Sequence, residues 1–469
     1  MRLGAWIDPQ DVFVLLFGES QQAFWLDNGA DSTSGFSYVG DGKPTATIES
    51  HGPHEDAEFL DSLEASNDVD TTSPDLAELD FRLGWVGWFC YEFGVRRIGA
   101  PHAPSPYPDA AFVFADRAVV FDHGKRTVSA LVIVDDANER DSAVRDHVEW
   151  VTRVRDCLAE LRREAETGAA ALLQTVPSAI ETSGATAPRV AEWRHTDQKY
   201  LTLIDECQRV IARGDAYQLC LTNTVSVPND STAAPHNPVA TYVRLRKTSS
   251  SHHGGYLRIG ETTLLSASPE RFLRIFPDRT VETSPIKGTR ARGRTREEDE
   301  QLQRELVESP KEQAENLMIV DLTRNDLSRV CVVGSVAVTR LLALETYPHV
   351  HQLVSTVRGV LRPEISFADV LRSTFPAGSM TGAPKRSAIH TLFDLERGPR
   401  GIYSGTFGYV GIDGSVDLAM VIRSIVIDCA GATVGAGGGI TALSDPGEEL
   451  EEAHLKSRAL LRALATGTD

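Results

Sequence analysis

Hydrophobic positions follow two different rhythms along the chain. From Met1 to about Val134 they come as short runs with turn residues between them: VFVLLF, AFWLDNG, GWVGWFCYEFG, AAFVFADRAVVFDHG and TVSALVIVDD. Such runs read as strands and hairpins of a sheet-rich region. From Asn138 to about Leu173 Ala, Glu, Arg and Leu dominate, and apolar residues recur at helical intervals, which predicts one long amphipathic helix. Gln174 to Arg189, QTVPSAIETSGATAPR, loses the period and gains Ser, Thr, Ala, Gly and Pro, so it reads as an exposed linker. A helix is predicted from Thr196 to Arg213, stopped by Gly214, and beyond it strands alternate with helices to the C-terminus.

Composition narrows the partners. At 469 residues the chain is long for one ordinary domain, and its 41% hydrophobic content is ample for a large core. A formal charge of -19 argues against nucleic acid or an anionic membrane as partner. An anionic substrate would then be met by local positive groups or a metal. Six cysteines, Cys90, Cys157, Cys207, Cys220, Cys331 and Cys429, form no Cys-x-x-Cys pair and read as reduced thiols of a cytoplasmic protein. The first twenty residues lack the ordered charged and apolar regions of a cleavable signal, and no apolar run is long enough to span a membrane.

Three segments carry candidate chemistry. In SPIKGTRARG, Ser284 to Gly293, Lys287 stands close to a proline and a glycine in a run without bulk, where an amine can be aimed. A lone lysine is ordinarily a solvated surface residue, so the segment by itself leaves both readings open. In SPKEQAEN, Ser309-Pro310 has the grammar of a helix start, and Glu312 and Glu315 share one face of the helix that follows. Glu312 has a second reading as half of a capping box. Near the C-terminus Asp445-Pro446 opens another helix with Glu448 at the capping position, and Glu449, Glu452 and Lys456 follow along one face. A solvated acidic face is the bland reading of both runs.

Further motifs decide between these readings. SPERF (Ser268 to Phe272), ENLMIVDLTRNDL (Glu315 to Leu327), FPAGSMTGAPK (Phe375 to Lys385), GIYSGTFGY (Gly401 to Tyr409) and GAGGGITALSDPGEELEEAHLKS (Gly435 to Ser457) together resemble the chorismate-utilising enzymes. That family includes anthranilate synthase component I, aminodeoxychorismate synthase component I, isochorismate synthase and salicylate synthase. The resemblance is dense from about Trp193 to Leu464. It implies an α+β fold, an interleaved β-sandwich flanked by helices, with residues 1–173 sheet-rich, 174–189 a linker and 190–469 the chorismate-binding region. It also implies that the first and last regions are built into one fold. Some relatives hold tryptophan in the N-terminal region.

The resemblance also assigns roles. Glu315 and Glu452 would ligate magnesium directly, with Glu312 and Glu449 acting through bound water, which suits a hard cation that keeps several waters. Arg423 and Lys456 would meet the carboxylates of chorismate, Tyr403 and Ser379 would add hydroxyl donors, and Gly437, Gly438 and Gly439 would let backbone amides approach. His351 would lie near the leaving hydroxyl. Gln218 stands where water-adding relatives carry a lysine base, and glutamine cannot deprotonate water. Anthranilate synthases carry alanine at the position of Lys287, whereas aminodeoxychorismate synthases carry lysine there. The implied reaction is amination of chorismate to 4-amino-4-deoxychorismate, on the route to 4-aminobenzoate and folate. Lys287 would attack carbon 2, Glu270 would protonate the departing hydroxyl, and ammonia would displace the lysine. For that attack the amine is expected to have a lowered pKa. No cysteine sits in a glutaminase setting, so a separate glutamine amidotransferase subunit is the implied partner. Anthranilate synthase component I is the runner-up, followed by salicylate or isochorismate synthase and by a catalytically silent regulatory homologue. Ala291, Asn223 and the GGGITALSDPGEEL segment depart from the usual pattern.

Overall fold

A computed structural model describes residues 1–42, 47–64, 76–134, 140–167, 191–229, 235–347 and 350–465. The predicted linker, Gln174 to Arg189, lies outside them. Within them the chain builds two large antiparallel sheets. The first runs in the order Arg2–Ala5, Thr127–Val132, Arg117–Asp122, Phe36–Asp41, Ala23–Asp27, His253–Ile259, Thr262–Ser268, Ser424–Asp428, Gly431–Ile440, Gln218–Pro228 and Gly382–Ala383. The second runs Ile286–Ala291, Val350–Val360, Thr280–Thr283, Arg271–Ile275, Val416–Met420, Thr406–Gly411, Gly84–Phe89, Ala110–Ala115 and Thr47–Ser50.

Both sheets interleave the two halves of the chain. Trp25 pairs with Tyr256 in the first sheet, and Trp88 with Phe407 in the second. The central strands are buried on both faces, so they read as apolar runs rather than as alternations; Gly84–Phe89 is buried throughout. One core cluster takes Phe24, Tyr38 and Leu264 from the first sheet and Val86, Trp88 and Phe407 from the second, which makes the pair a sandwich. Helices cover the outer faces. Pro9–Leu16, Arg140–Thr167, Pro238–Thr248 and Pro446–Leu464 close the first sheet, and Phe367–Thr374 and Pro310–Ser328 the second. Phe13 and Trp25 of the N-terminal region pack their rings against Tyr242 and Tyr256 of the C-terminal region. No described helix is long and apolar enough to cross a membrane.

The local grammar of the helices agrees with their ends. The helix Asp197–Ala212 starts on a Thr196 side chain that accepts from the Lys199 amide. Ser309 caps Pro310–Ser328 and Asp445 caps Pro446–Leu464, each with proline in the first turn. These two helices aim the four candidate glutamates.

Candidate active site

Two of the chain's crossings between the sheets lie side by side. The chain leaves the first sheet at Ser268 and enters the second at Arg271, with Glu270 in the crossing; it returns between Met420 and Ser424, with Arg423 in the crossing. The Met420 amide donates to the Glu270 carbonyl at 3.0 Å, and the Ala267 amide to the Arg423 carbonyl at 3.1 Å, so the crossings fix each other. Arg423 holds a φ of 52°. That left-handed conformation costs a residue with a side chain about 1–3 kcal/mol, and it survives where the surroundings enforce it. Burial pulls the Arg423 guanidinium pKa down, with Glu452 and Tyr403 opposing.

Glu270 is 7% exposed. Burial pushes its carboxyl up to about 7, against the pull of Lys287 and of a hydrogen bond from Ser379. Ser379 is also buried, on the short turn Gly378–Met380. Lys287, half-buried at the start of Ile286–Ala291, corrects an expectation. Burial works against its charge, but Cys220, Glu315, Glu270 and Glu452 outweigh burial and hold the ammonium above its ordinary pKa. The sequence suggested a lowered value because it did not show how many acids gather around one lysine.

Lysines and glutamates alternate across the two helices. Glu315 is buried, and burial raises its pKa together with Glu312 and Glu449, while Lys287 and Lys311 oppose. Lys311 Nζ lies 3.2 Å from Glu449 Oε1, which also accepts from Ser444 Oγ at 2.7 Å. Lys456 Nζ lies 2.6 Å from Glu452 Oε1 and donates to the Gly437 carbonyl at 2.8 Å. For Glu452, burial is outweighed by Lys456, Lys311 and Lys287, and its pKa is lowered. The Glu312 amide takes the Ser309 cap at 3.4 Å, but its carboxylate turns to Arg290 at 3.1 Å. Among the described residues no three histidines, cysteines, aspartates or glutamates stand together as a metal cluster. The donor chemistry nevertheless fits magnesium: the acids are hard oxygen ligands on two helices, and they already collect cationic side chains.

The glycine strand Gly431–Ile440 forms one wall, paired with Gln218–Pro228 so that Gly437, Gly438 and Gly439 face Thr222, Leu221 and Cys220. Each glycine makes room for something specific. A Cβ at Gly437 would lie 2.2 Å from the Leu221 carbonyl oxygen, at Gly438 2.9 Å from Glu449 Oε2, and at Gly439 2.0 Å from Gln218 Nε2. Gly435 likewise admits the buried Tyr403 ring. Gln218 is 1% exposed, and its Oε1 has no hydrogen-bond partner. His351 is fully buried, with Nε2 2.8 Å from Asp299 and Nδ1 2.9 Å from Thr346.

Sequence reasoning missed several neighbours. Cys220, read only as a reduced thiol, is buried, and its surroundings include Arg400, Lys287 and Lys456. Lys311 had a signal, since it lies one helical turn before Glu315. Arg400 had none: it is buried and donates to Glu396, to the carbonyls of Met380 and Cys220, and to Ser404.

A two-sheet fold that sets a lysine, an acid and two glutamate-bearing helices around one glycine strand defines a class of enzymes rather than a single activity. Residues 21–462 match the family described as chorismate binding enzyme, and the chain belongs to that family. Over 479 residues it is 40% identical to aminodeoxychorismate synthase of Streptomyces griseus, covering 98% of this chain and 63% of that protein. The chain therefore spans only part of that relative's length. It is 35% identical over 466 residues to anthranilate synthase component 1 of Streptomyces coelicolor, covering 98% of this chain and 86% of that one. A solved structure of anthranilate synthase component I from Streptococcus pneumoniae TIGR4 matches with a TM-score of 0.72 at 26% identity, over 98% of this chain and 99% of that one.

Proposed function

We propose that the chain aminates chorismate at carbon 4 to give 4-amino-4-deoxychorismate. The observation that carries this reading is a buried acid, Glu270, on a strand crossing with Lys287 near enough to act on its charge. Gln218, in the position of a water-activating lysine, cannot serve a hydration reaction. Relatives at 36–40% identity named aminodeoxychorismate synthase support the same reading.

The charges of the pair suggest how one proton is used. Moving the proton from Lys287 to Glu270 creates the neutral amine and the carboxylic acid together. Lys287 then attacks carbon 2 while Glu270 protonates the oxygen leaving carbon 4. Arg423 and Lys456 meet the substrate carboxylates, and Ser379 and Tyr403 supply hydroxyls. Magnesium, held by Glu315 and Glu452 with Glu312 and Glu449 behind them, would place positive charge against a substrate carboxylate. His351, tied to Asp299 and Thr346, holds the helix Arg296–Glu308 against the second sheet, and its role near the leaving hydroxyl is part of the proposal.

Ammonia would come from a separate glutamine amidotransferase, with ammonium replacing it in vitro. Cysteine use suits a cytoplasmic setting. Incubation with chorismate, magnesium and ammonium tests the reading: a product that keeps its enolpyruvyl group and yields 4-aminobenzoate only after aminodeoxychorismate lyase supports it. Anthranilate with pyruvate contradicts it.

A further inference from the structure

Next to Glu270 and Ser379 lies a cavity of about 20 Å³, room for one water-sized molecule and far too small for chorismate. Phe272, Leu273, Pro285, Ile319 and Ala377 give it apolar walls that exclude larger ions. Thr323, Asp326 and Thr374 also line it. Lys385 Nζ donates to Asp326 at 2.7 Å and to the Thr374 carbonyl at 3.1 Å, so the charge of Asp326 is balanced. Glu270 is left to meet whatever enters. One helix face links the cavity to the acid cluster, because Glu315, Ile319, Thr323 and Asp326 follow one another at intervals of four, four and three along Pro310–Ser328. Glu270 lines the cavity and also feels the charge of Lys287, which does not line it.

We propose that this cavity is the holding site for the incoming nitrogen, a single ammonium ion or ammonia molecule resting against Glu270 and Ser379. The inference rests on the amination reading and adds a second task for Glu270. In the first step neutral Lys287 forms its bond to carbon 2, the ring's two double bonds shift, and the carbon 4 oxygen leaves with its electron pair and the Glu270 proton, as water. Glu270 is then a carboxylate facing the chamber. It takes one proton from the waiting ammonium and becomes an acid again. The freed lone pair of ammonia bonds to carbon 4, the two double bonds shift back, and the carbon 2–nitrogen bond breaks with its pair returning to Lys287. Enzyme groups end as they began, and the product carries a protonated amine.

Thr323→Leu fills the chamber from the helix side without touching a residue given a role in chorismate binding. Steady-state kinetics with varied ammonium should show its apparent KM for ammonium raised by about tenfold or more, the effect of overfilling a small pocket. KM for chorismate and the melting temperature should stay unchanged, and Thr323→Ser should behave as wild type. An unchanged ammonium KM in the folded variant, or a parallel rise in both KM values, overturns the proposal. If Thr323→Leu does not fold, Ala377→Val gives the same test from the opposite wall. Failure of the wild-type chain to form any aminated product would instead count against the amination reading. A crystal soaked in a thallous salt, an ammonium-like cation, then decides the chamber: an anomalous peak beside Glu270 upholds it, and an empty chamber overturns it.

Discussion

Arg400 grips Glu396 with two parallel hydrogen bonds, Nε to Oε2 at 2.8 Å and Nη2 to Oε1 at 2.7 Å, with both side chains almost entirely buried. Glu396 also accepts from the amide and hydroxyl of Thr222, at 2.9 and 3.0 Å. The pair therefore ties the helix Lys385–Glu396 to the strand beside the glycine wall and, through the Met380 carbonyl, to the turn that carries Ser379. Arg400→Met leaves a buried carboxylate without its cation, and such a loss costs about 3–5 kcal/mol. Urea denaturation should show that drop, whereas a loss near zero would mean that the pair is not the tie described.

Glu270 gives the clearest dependence on pH. Between the ordinary value of 4.5 and about 7, the folded protein keeps a proton that the unfolded chain has released. Stability contributed by this group thus falls as pH rises through that window and levels off above it. Glu270→Gln removes the penalty, so at about pH 8 the variant should be the more stable protein, by up to about 3 kcal/mol, with no gain near pH 4. Amination should drop by about 10²–10⁴ in the same variant. Equal stability at both pH values would contradict the burial of an ionisable acid here.

The glycine wall should respond unequally to a single added methyl. At Gly437 the new Cβ meets a backbone carbonyl at 2.2 Å, which cannot step aside, whereas at Gly439 it meets the side-chain amide of Gln218 at 2.0 Å. Gly437→Ala should lose about 1–3 kcal/mol as an overpacked core does. Gly439→Ala should lose less if Gln218 shifts, and Gly439→Ala combined with Gln218→Ala should recover most of the loss. Thermal melts of the three variants check the order.

Magnesium dependence separates the acids. Glu315→Gln and Glu452→Gln should each raise the magnesium concentration needed for half-maximal activity by about tenfold or more, and Glu312→Gln by less, since Arg290 already holds Glu312. A titration showing equal sensitivity at Glu312 and Glu315 would reverse the assignment of direct and water-mediated ligands.

What could be read in the sequence depended on how local the cause was. Ser309-Pro310 and Asp445-Pro446 announced their helices because a cap and its partners lie within one turn, and both helices begin there. The two-sheet fold was legible through motifs shared with a known family rather than through the apolar runs, which did not say which strands would pair. Glu270 and Arg423 were legible as residues but not as neighbours, because they meet only where two crossings lie side by side. The charge of Lys287 was not legible, since the groups that raise its pKa come from separate segments. Arg400 escaped notice because carbonyl oxygens take much of its bonding and leave no mark on the sequence.

The central claim is that Lys287 sends the nitrogen to carbon 4 by first occupying carbon 2. Comparing the products of the wild-type chain and Lys287→Ala, with chorismate, magnesium and ammonium, tests it most directly. The account predicts 4-amino-4-deoxychorismate from the wild type and its loss in Lys287→Ala, with any remaining amination moved to carbon 2. Undiminished formation of 4-amino-4-deoxychorismate by Lys287→Ala would contradict it.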